Sequence, residues 1–424
     1  MICSTAKSAS RFPLIFALIV ASSLSLSACS KKDQNPGESL IHTLPVQHDG
    51  RVKPFSAYAG KTVRLVTSKS RFEKQSPTDL MLTLLSDPAL LRSKKWIRVD
   101  YHPLKSSLSL PVEDKYFSFD QIQPKIQSLT ALASSAKQKR DADERPDKIE
   151  QKAELVLSRT AAVYSLLNQT SMATVPQNNQ TWRPVTADHP INAAYRKLLT
   201  AWKSGNRQDV MAAAKQWHQL SNSSVDSAQI KKNKMEDMYL RYHPFQKAWI
   251  LYLFSALLFL GSSKKIKFKL ACLFLAGAFF FHLAGLGLRV YILGRPPVSN
   301  MYESMIFMGF ILMFAGTIFS IIHRSRFLVQ AGAIGAAAIL IYADLLPIDG
   351  SLGTLVPVLR SNYWLTIHVL TIVASYGAYG LALVASHRHL WLDLKNTWSE
   401  AEKKKSGHLI LRIIEVGTLL IAVG

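Results

Sequence analysis

Beyond about residue 246 the chain becomes a series of long apolar stretches, and these limit what it can fold into. They are Ala248 to Gly261, Leu270 to Leu293, Met301 to Ile322, Phe327 to Tyr342, Trp364 to Ser386 and Leu409 to Gly424. A membrane span needs about 20 largely apolar residues, and in hydrocarbon the backbone must bond to itself. The stretches therefore predict about six α-helical spans packed as a bundle. Ala248 to Gly261 is short and needs Lys247 and Lys264 to snorkel to the interfaces. Charge orients the set. Lys264, Lys265, Lys267 and Lys269 fill one loop, Arg324 and Arg326 the next on that side, and His387 to His408 is rich in lysine. Positive loops stay inside, so the loops around Gly294 to Asn300 and Asp344 to Tyr363 face outward.

The first half is polar and rich in lysine, although the chain as a whole is 48% hydrophobic with a formal charge of +23. That asymmetry predicts a soluble arm before the bundle. The basic excess is spread without the aromatic-basic pattern of a nucleic-acid surface, so it is read as topology control and attraction to anionic lipid, with no nucleic-acid partner. The three cysteines, Cys3, Cys29 and Cys272, form no CxxC or CxxCH. This argues against a c-type cytochrome, a thiol oxidoreductase and a disulfide-stapled domain. Lys7 and Arg11 followed by apolar Phe12 to Leu26 read as an export signal. Leu26-Ser27-Ala28-Cys29 resembles a lipobox, which would make Cys29 a lipidated first residue; the alternative is an uncleaved anchor helix. Either way the following residues lie outside the cytoplasm. Residues 1–29 are thus signal or anchor, 30–245 an extracytoplasmic arm, and 246–424 the membrane domain.

In the arm, LPVQHDGRVKPF carries an Asp-Gly turn between extended segments. Ser118 to Gln169 reads as helical with a break near Asp141 to Pro146, and Ile191 to Ser221 as a helical pair hinged at Ser204-Gly205-Asn206. The fold expected is mainly α: a polytopic helical membrane bundle preceded by a mixed, mostly helical domain. His42, His48, His102, His189 and His218 are scattered without metal-ligand spacing.

Two outward pieces concentrate groups that hydrocarbon does not tolerate unpaired. In GRPPVSNMYES, Gly294 to Ser304, the prolines end one helix, and Asn300 with Glu303 has capping-box spacing for the next. In SNYWLTIHV, Tyr363 and Trp364 mark an interface and His368 lies one turn inside it. Trp364, His368, Thr371, Ser375 and Tyr379 recur at helical spacing as one polar and aromatic stripe, which must face protein or a cavity. His282 lies mid-span, with Arg289 two turns along the same face towards the outer surface.

GRPPVSNMYES followed by YWLTIHVLTIVASYGAYG resembles the cytochrome c assembly proteins of system II (ResC/CcsA type), with a weaker echo at LPVQHDGRVKPF. The likeness runs from about Asn233 to the end. NKMEDMYLRYHPF resembles the juxtamembrane segment that opens the haem-handling part of these proteins. The resemblance implies a component of c-type cytochrome biogenesis in the bacterial inner membrane, its arm on the periplasmic face. It would bind b-type haem, non-covalently or in transit, and present it outside for attachment to a CxxCH apocytochrome c beside a ResB-like partner. The family's outer haem site uses a histidine at the position matching His368, and Trp364 adjoins it. Arg289, Arg295 and Arg360 are expected near haem propionates, although Arg295 stands where many relatives have histidine. His282 is a second candidate haem contact; its alternative is a packing histidine. The tryptophan-rich (WWD) loop and two later histidines of the family would follow the last span, and the sequence ends at Gly424 before them. A truncated remnant is therefore one expectation. A chain without that loop is not expected to act alone as a cytochrome c synthase, and no side chain is given a catalytic role. Alternatives are a haem b electron-transfer subunit pairing His282 with His368, and a permease or scaffold without cofactor.

Overall fold

The computed structural model describes residues 36–177, 181–260, 265–346, 348, 350–354 and 362–424. Cys29, the export signal and Arg360 lie outside the described residues. The chain divides into two compact units, Gln34–Asp237 and one containing Met238–Gly424.

The first unit opens with α1 (Pro36–Thr43), β1 (Pro45–His48), β2 (Arg51–Pro54) and α2 (Phe55–Thr67). Asp49 and Gly50 have φ of 52° and 70°, the two left-handed residues that a tight Asp-Gly hairpin requires. The strands pair antiparallel from Pro45 with Pro54 to His48 with Arg51. The next elements are α3 (Pro77–Ser86), α4 (Pro88–Ser93), β3 (Ile97–Arg98), α5 (His102–Ser107), β4 (Tyr116–Phe117) and α6 (Phe119–Ile122). They are followed by α7 (Ile126–Asp141), α8 (Lys148–Leu167), β5 (Ala173–Val175), β6 (Arg183–Pro184), α9 (Pro190–Ser204) and α10 (Arg207–Ser224). One sheet has the order β2-β1-β5-β6, and β3 pairs with β4. The expected helix break appears between α7 and α8, where Asp147 and Glu150 form a capping box. The expected hinge between α9 and α10 is Gly205 at φ 74° with Asn206 capping α10.

Apolar side chains repeat at helical spacing in α2, where Phe55, Tyr58, Ala59, Val63 and Val66 are buried. They join Trp96 and Trp217 in one continuous core. Arg159, 5% exposed, crosses that core and donates to the carbonyls of Leu65 and Arg98 and to Ser68 Oγ. α11 (Ser227–Tyr242) carries Glu236, which takes both terminal nitrogens of Arg51 at 2.6 Å. Ser56 donates to Asp237 at 2.9 Å. The hairpin motif and the start of the juxtamembrane motif, far apart in sequence, are thereby joined.

The second unit continues with α12 (Pro244–Leu260), α13 (Lys265–Leu293), α14 (Met301–His323) and α15 (Arg326–Leu345). A short helical turn, α16 (Asn362–Trp364), a π-helical turn (Leu365–Val369), α17 (Leu370–Leu394) and α18 (Glu400–Val423) complete it. Among the described residues five helices are long and apolar enough to cross a membrane, so the chain is a polytopic helical membrane protein. α12, expected as a sixth span, has 17 residues and packs along α13 and α15. The stretch His387 to His408, expected as a loop, is mostly helical. α17 runs on to Leu394, and a capping box at Ser399 and Glu402 starts α18. Small residues set the α14–α15 crossing, because a Cβ at Gly316 would lie 2.8 Å from the Leu328 carbonyl and 3.1 Å from Gly332 Cα.

Candidate functional site

α13 ends at Gly294, whose φ of 67° and N–H bond to Val290 O form a left-handed cap. Arg295-Pro296-Pro297 cannot continue the helix. Asn300 then caps α14 by accepting from Glu303 N at 2.8 Å. Only that half of the expected capping box forms. The Glu303 carboxylate serves instead as the hub of a buried ion cluster.

Glu303 Oε1 accepts from Arg289 Nη2 at 2.9 Å, and Oε2 from Arg295 Nη1 at 2.9 Å. Oε2 also accepts from Ser299 N at 3.0 Å and Ser299 Oγ at 2.7 Å. Arg289 Nη1 donates to Tyr239 OH at 2.9 Å and Gly350 O at 3.0 Å. Its guanidinium lies 5.7 Å from the Tyr239 ring centroid and 5.2 Å from that of Tyr302. Arg295 Nη2 reaches Gly353 O at 3.2 Å. Arg289 and Glu303 are 0% exposed and Arg295 6%, so desolvation is offset only by this dense bonding. Four pieces of chain are tied together: α11, the end of α13, the start of α14 and the segment 350–353. Two guanidiniums against one carboxylate leave a net positive charge. Arg289 and Arg295, expected at haem propionates, thus bond first to Glu303. The missed residue was Glu303, whose cap-like spacing hid its second role; the signal was an acid preceded in sequence by two arginines at one bundle end.

His282 is 0% exposed. Its Nε2 faces the Ile306 carbonyl at 2.9 Å, and its Nδ1 the Tyr252 hydroxyl at 3.2 Å. A carbonyl only accepts, so Nε2 carries the proton and Nδ1 accepts from tyrosine. Phe245 and Phe310 close edge-on around the ring at 5.7 and 5.6 Å. Both nitrogens are engaged, as in a packing histidine, and iron would have to displace one partner.

His368 is exposed and lies in the π turn. Its Nδ1 meets an oxygen of Gly424. Nε2 has no hydrogen-bond partner among the described residues. The ring stands edge-on to Trp364 at 6.4 Å and 81°, and Trp364 is itself 63% exposed. Along the predicted stripe, Ser375 is buried, and Tyr379 bonds Thr418 of α18 at 3.0 Å and packs on Gly417. The lower stripe therefore faces protein, while its upper end, with Trp364 and His368, is open. The neighbours of His282 and those of His368 share no residue. Among the described residues no cluster of three or more His, Cys, Asp or Glu is arranged to hold a metal ion.

An open imidazole on a span, with a nitrogen free and an indole beside it, is a donor suited to haem iron. Residues 298–424, which hold Glu303 and His368, match the cytochrome C assembly protein family. Over these residues the chain is similar to that family. Protein NrfI of Wolinella succinogenes is 35% identical over 142 residues, 34% of this chain. The match spans 15% of NrfI's length. His282, Arg289 and Arg295 precede the matched family region.

Proposed function

We propose that the chain is a membrane component of c-type cytochrome biogenesis that binds haem through His368 and presents it at the outer face for covalent attachment to apocytochrome c. The observation that carries this reading is the exposed His368 ring, with Nε2 unbonded among the described residues and Trp364 at its edge. The resident group is b-type haem, held non-covalently or in transit. Its vinyl groups supply the reactive carbons for the CxxCH thiols. The protein's part is to hold the macrocycle and orient it. His368 would hold the haem iron through its imidazole, and Trp364 would offer an aromatic edge beside it. The Arg289–Glu303–Arg295 cluster supplies positive potential at one bundle end for the propionates, and Arg360 is assigned the same role. His282 acts as a packing residue that ties α12, α13 and α14. The domain sits in the bacterial inner membrane with its arm on the periplasmic side, lipidated at Cys29. It works beside a ResB-like partner.

The test is the absorption spectrum of the detergent-purified full chain after haem addition. A Soret band lost in His368→Ala and kept in His282→Phe supports the reading. A band unchanged in His368→Ala refutes it. A haem b subunit ligated by His282 and His368 predicts loss in both variants, and the bonded state of His282 disfavours it.

A further inference from the structure

A π turn bonds residue i to i+5 instead of i+4, is wider than an α turn, and is a rare feature found frequently at functional sites. Leu365–Val369 is such a turn, inserted between α16 and α17 with His368 as its fourth residue. The side chain that closes it is Thr371. Its hydroxyl lies 2.6 Å from the Ile367 carbonyl and 3.0 Å from the carbonyl of His368 itself. Thr317 and Thr418 make single back-bonds to Met313 and Ile414 at 2.9 Å inside α14 and α18, the usual habit of threonine in apolar helices. Thr371 differs in reaching two carbonyls at the junction where the π pattern gives way to α. The Ile367 carbonyl also takes the Leu370 N–H. Loss of the hydroxyl lets this junction relax towards a regular α turn. Removing the extra width of a π turn rotates the residues on its N-terminal side about the helix axis, His368 among them.

We infer that Thr371 is a positioning residue: its hydroxyl holds the π turn and so sets the direction in which the His368 imidazole is offered to haem. The inference rests on the proposed function for its biological meaning, but the geometry is testable without haem.

The experiment uses the full chain in detergent as wild type, Thr371→Val and Thr371→Ser. Without added haem, modification of His368 by diethyl pyrocarbonate is timed by mass spectrometry, with exposed His387 as internal reference. Released from its fixed geometry, His368 in Thr371→Val should react about threefold faster, with His387 unchanged and Thr371→Ser near wild type. Haem titration of the same samples should show about tenfold weaker binding or a displaced Soret band in Thr371→Val, restored in Thr371→Ser. If Thr371→Val does not fold, shown by His387 also reacting faster, Thr371→Ala replaces it with the same expectations. Unchanged His368 reactivity together with unchanged haem titration overturns the inference and leaves the proposed function standing. If no variant binds haem, the proposed function fails, and the modification rates alone decide the inference: a faster His368 upholds it, an unchanged one overturns it.

Discussion

Replacing Glu303 by Gln tests whether the buried cluster, and not merely a helix start, holds the bundle end together. The amide keeps the shape of the carboxylate but offers one oxygen where two now accept four hydrogen bonds. Whichever way it is turned, its NH2 faces a donor from Arg289, Arg295 or Ser299. Two guanidiniums, 0% and 6% exposed, are left without the anion that compensates them. Removing one partner of a buried ion pair costs about 3–5 kcal/mol. For a unit of this size that corresponds to a fall in melting temperature of roughly 6–20 °C. The assay is thermal melting of the detergent-solubilised chain, followed through the exposure of half-buried Cys272 after Cys3 and Cys29 are changed to Ser. Asn300→Ala is the control, since it removes only the cap and should cost about 1 kcal/mol. The double variant Arg295→Gln with Glu303→Gln should be less unstable than the sum of its parts, because the pair is coupled. If Glu303→Gln melts no lower than Asn300→Ala, Glu303 is a helix-start residue only and the ion-cluster account is wrong.

Gly316→Ala should destabilise the bundle by about 1–3 kcal/mol, because its Cβ would meet backbone at 2.8 Å. Gly287→Ala, with nothing within 4 Å of its Cβ, should not lower the same melting temperature. In the arm, Arg51→Ala strips a 2%-exposed Glu236 of its bidentate partner. It should open β1, β2 and α11 to hydrogen exchange while leaving α7 and α8 protected. Lys53 is buried in β2, and desolvation holds its amine down to about 8 from 10.5. The folded arm therefore carries a penalty below pH 8 that fades as pH rises towards 10.5, so this group makes stability increase over that window. Lys53→Met should stabilise the arm by about 3 kcal/mol at pH 7 and by much less at pH 10. A gain equal at both pH values, measured by denaturant titration with exchange mass spectrometry, would rule out desolvation as its cause.

Legibility followed the range of the interactions. The helices of the membrane half were readable because apolar length is a local property. The hairpin, the break before α8 and the hinge at Gly205 were readable because turn and cap residues act within a few positions. The errors lay where local rules stop. α17 and α18 run through charged sequence at His387 to His408, since helices continue past the hydrocarbon once water or a cap can satisfy their ends. The pairing of Arg51 with Glu236 joins positions 185 apart, and no period or motif encodes such a distance. The capping-box spacing of Asn300 and Glu303 marked the start of α14, but it did not show that two arginines take the Glu303 carboxylate in place of the box's second bond. Charge–charge bonding in a dry site is worth more than closing a box that backbone and serine can fill.

The two intramembrane histidines show why residue type alone does not decide a role. Each was a candidate for haem, and each lies on a helix among aromatics. His282 has its donor and its acceptor both consumed, by Ile306 and Tyr252, between Phe245 and Phe310. Exchanging either bond for iron would strand a buried carbonyl or hydroxyl, a cost of about 1–3 kcal/mol before any gain. His368 has one nitrogen on Gly424 and the other without a partner among the described residues, so a metal bond there strands none of them. His368 is therefore better placed than His282 to take a metal bond.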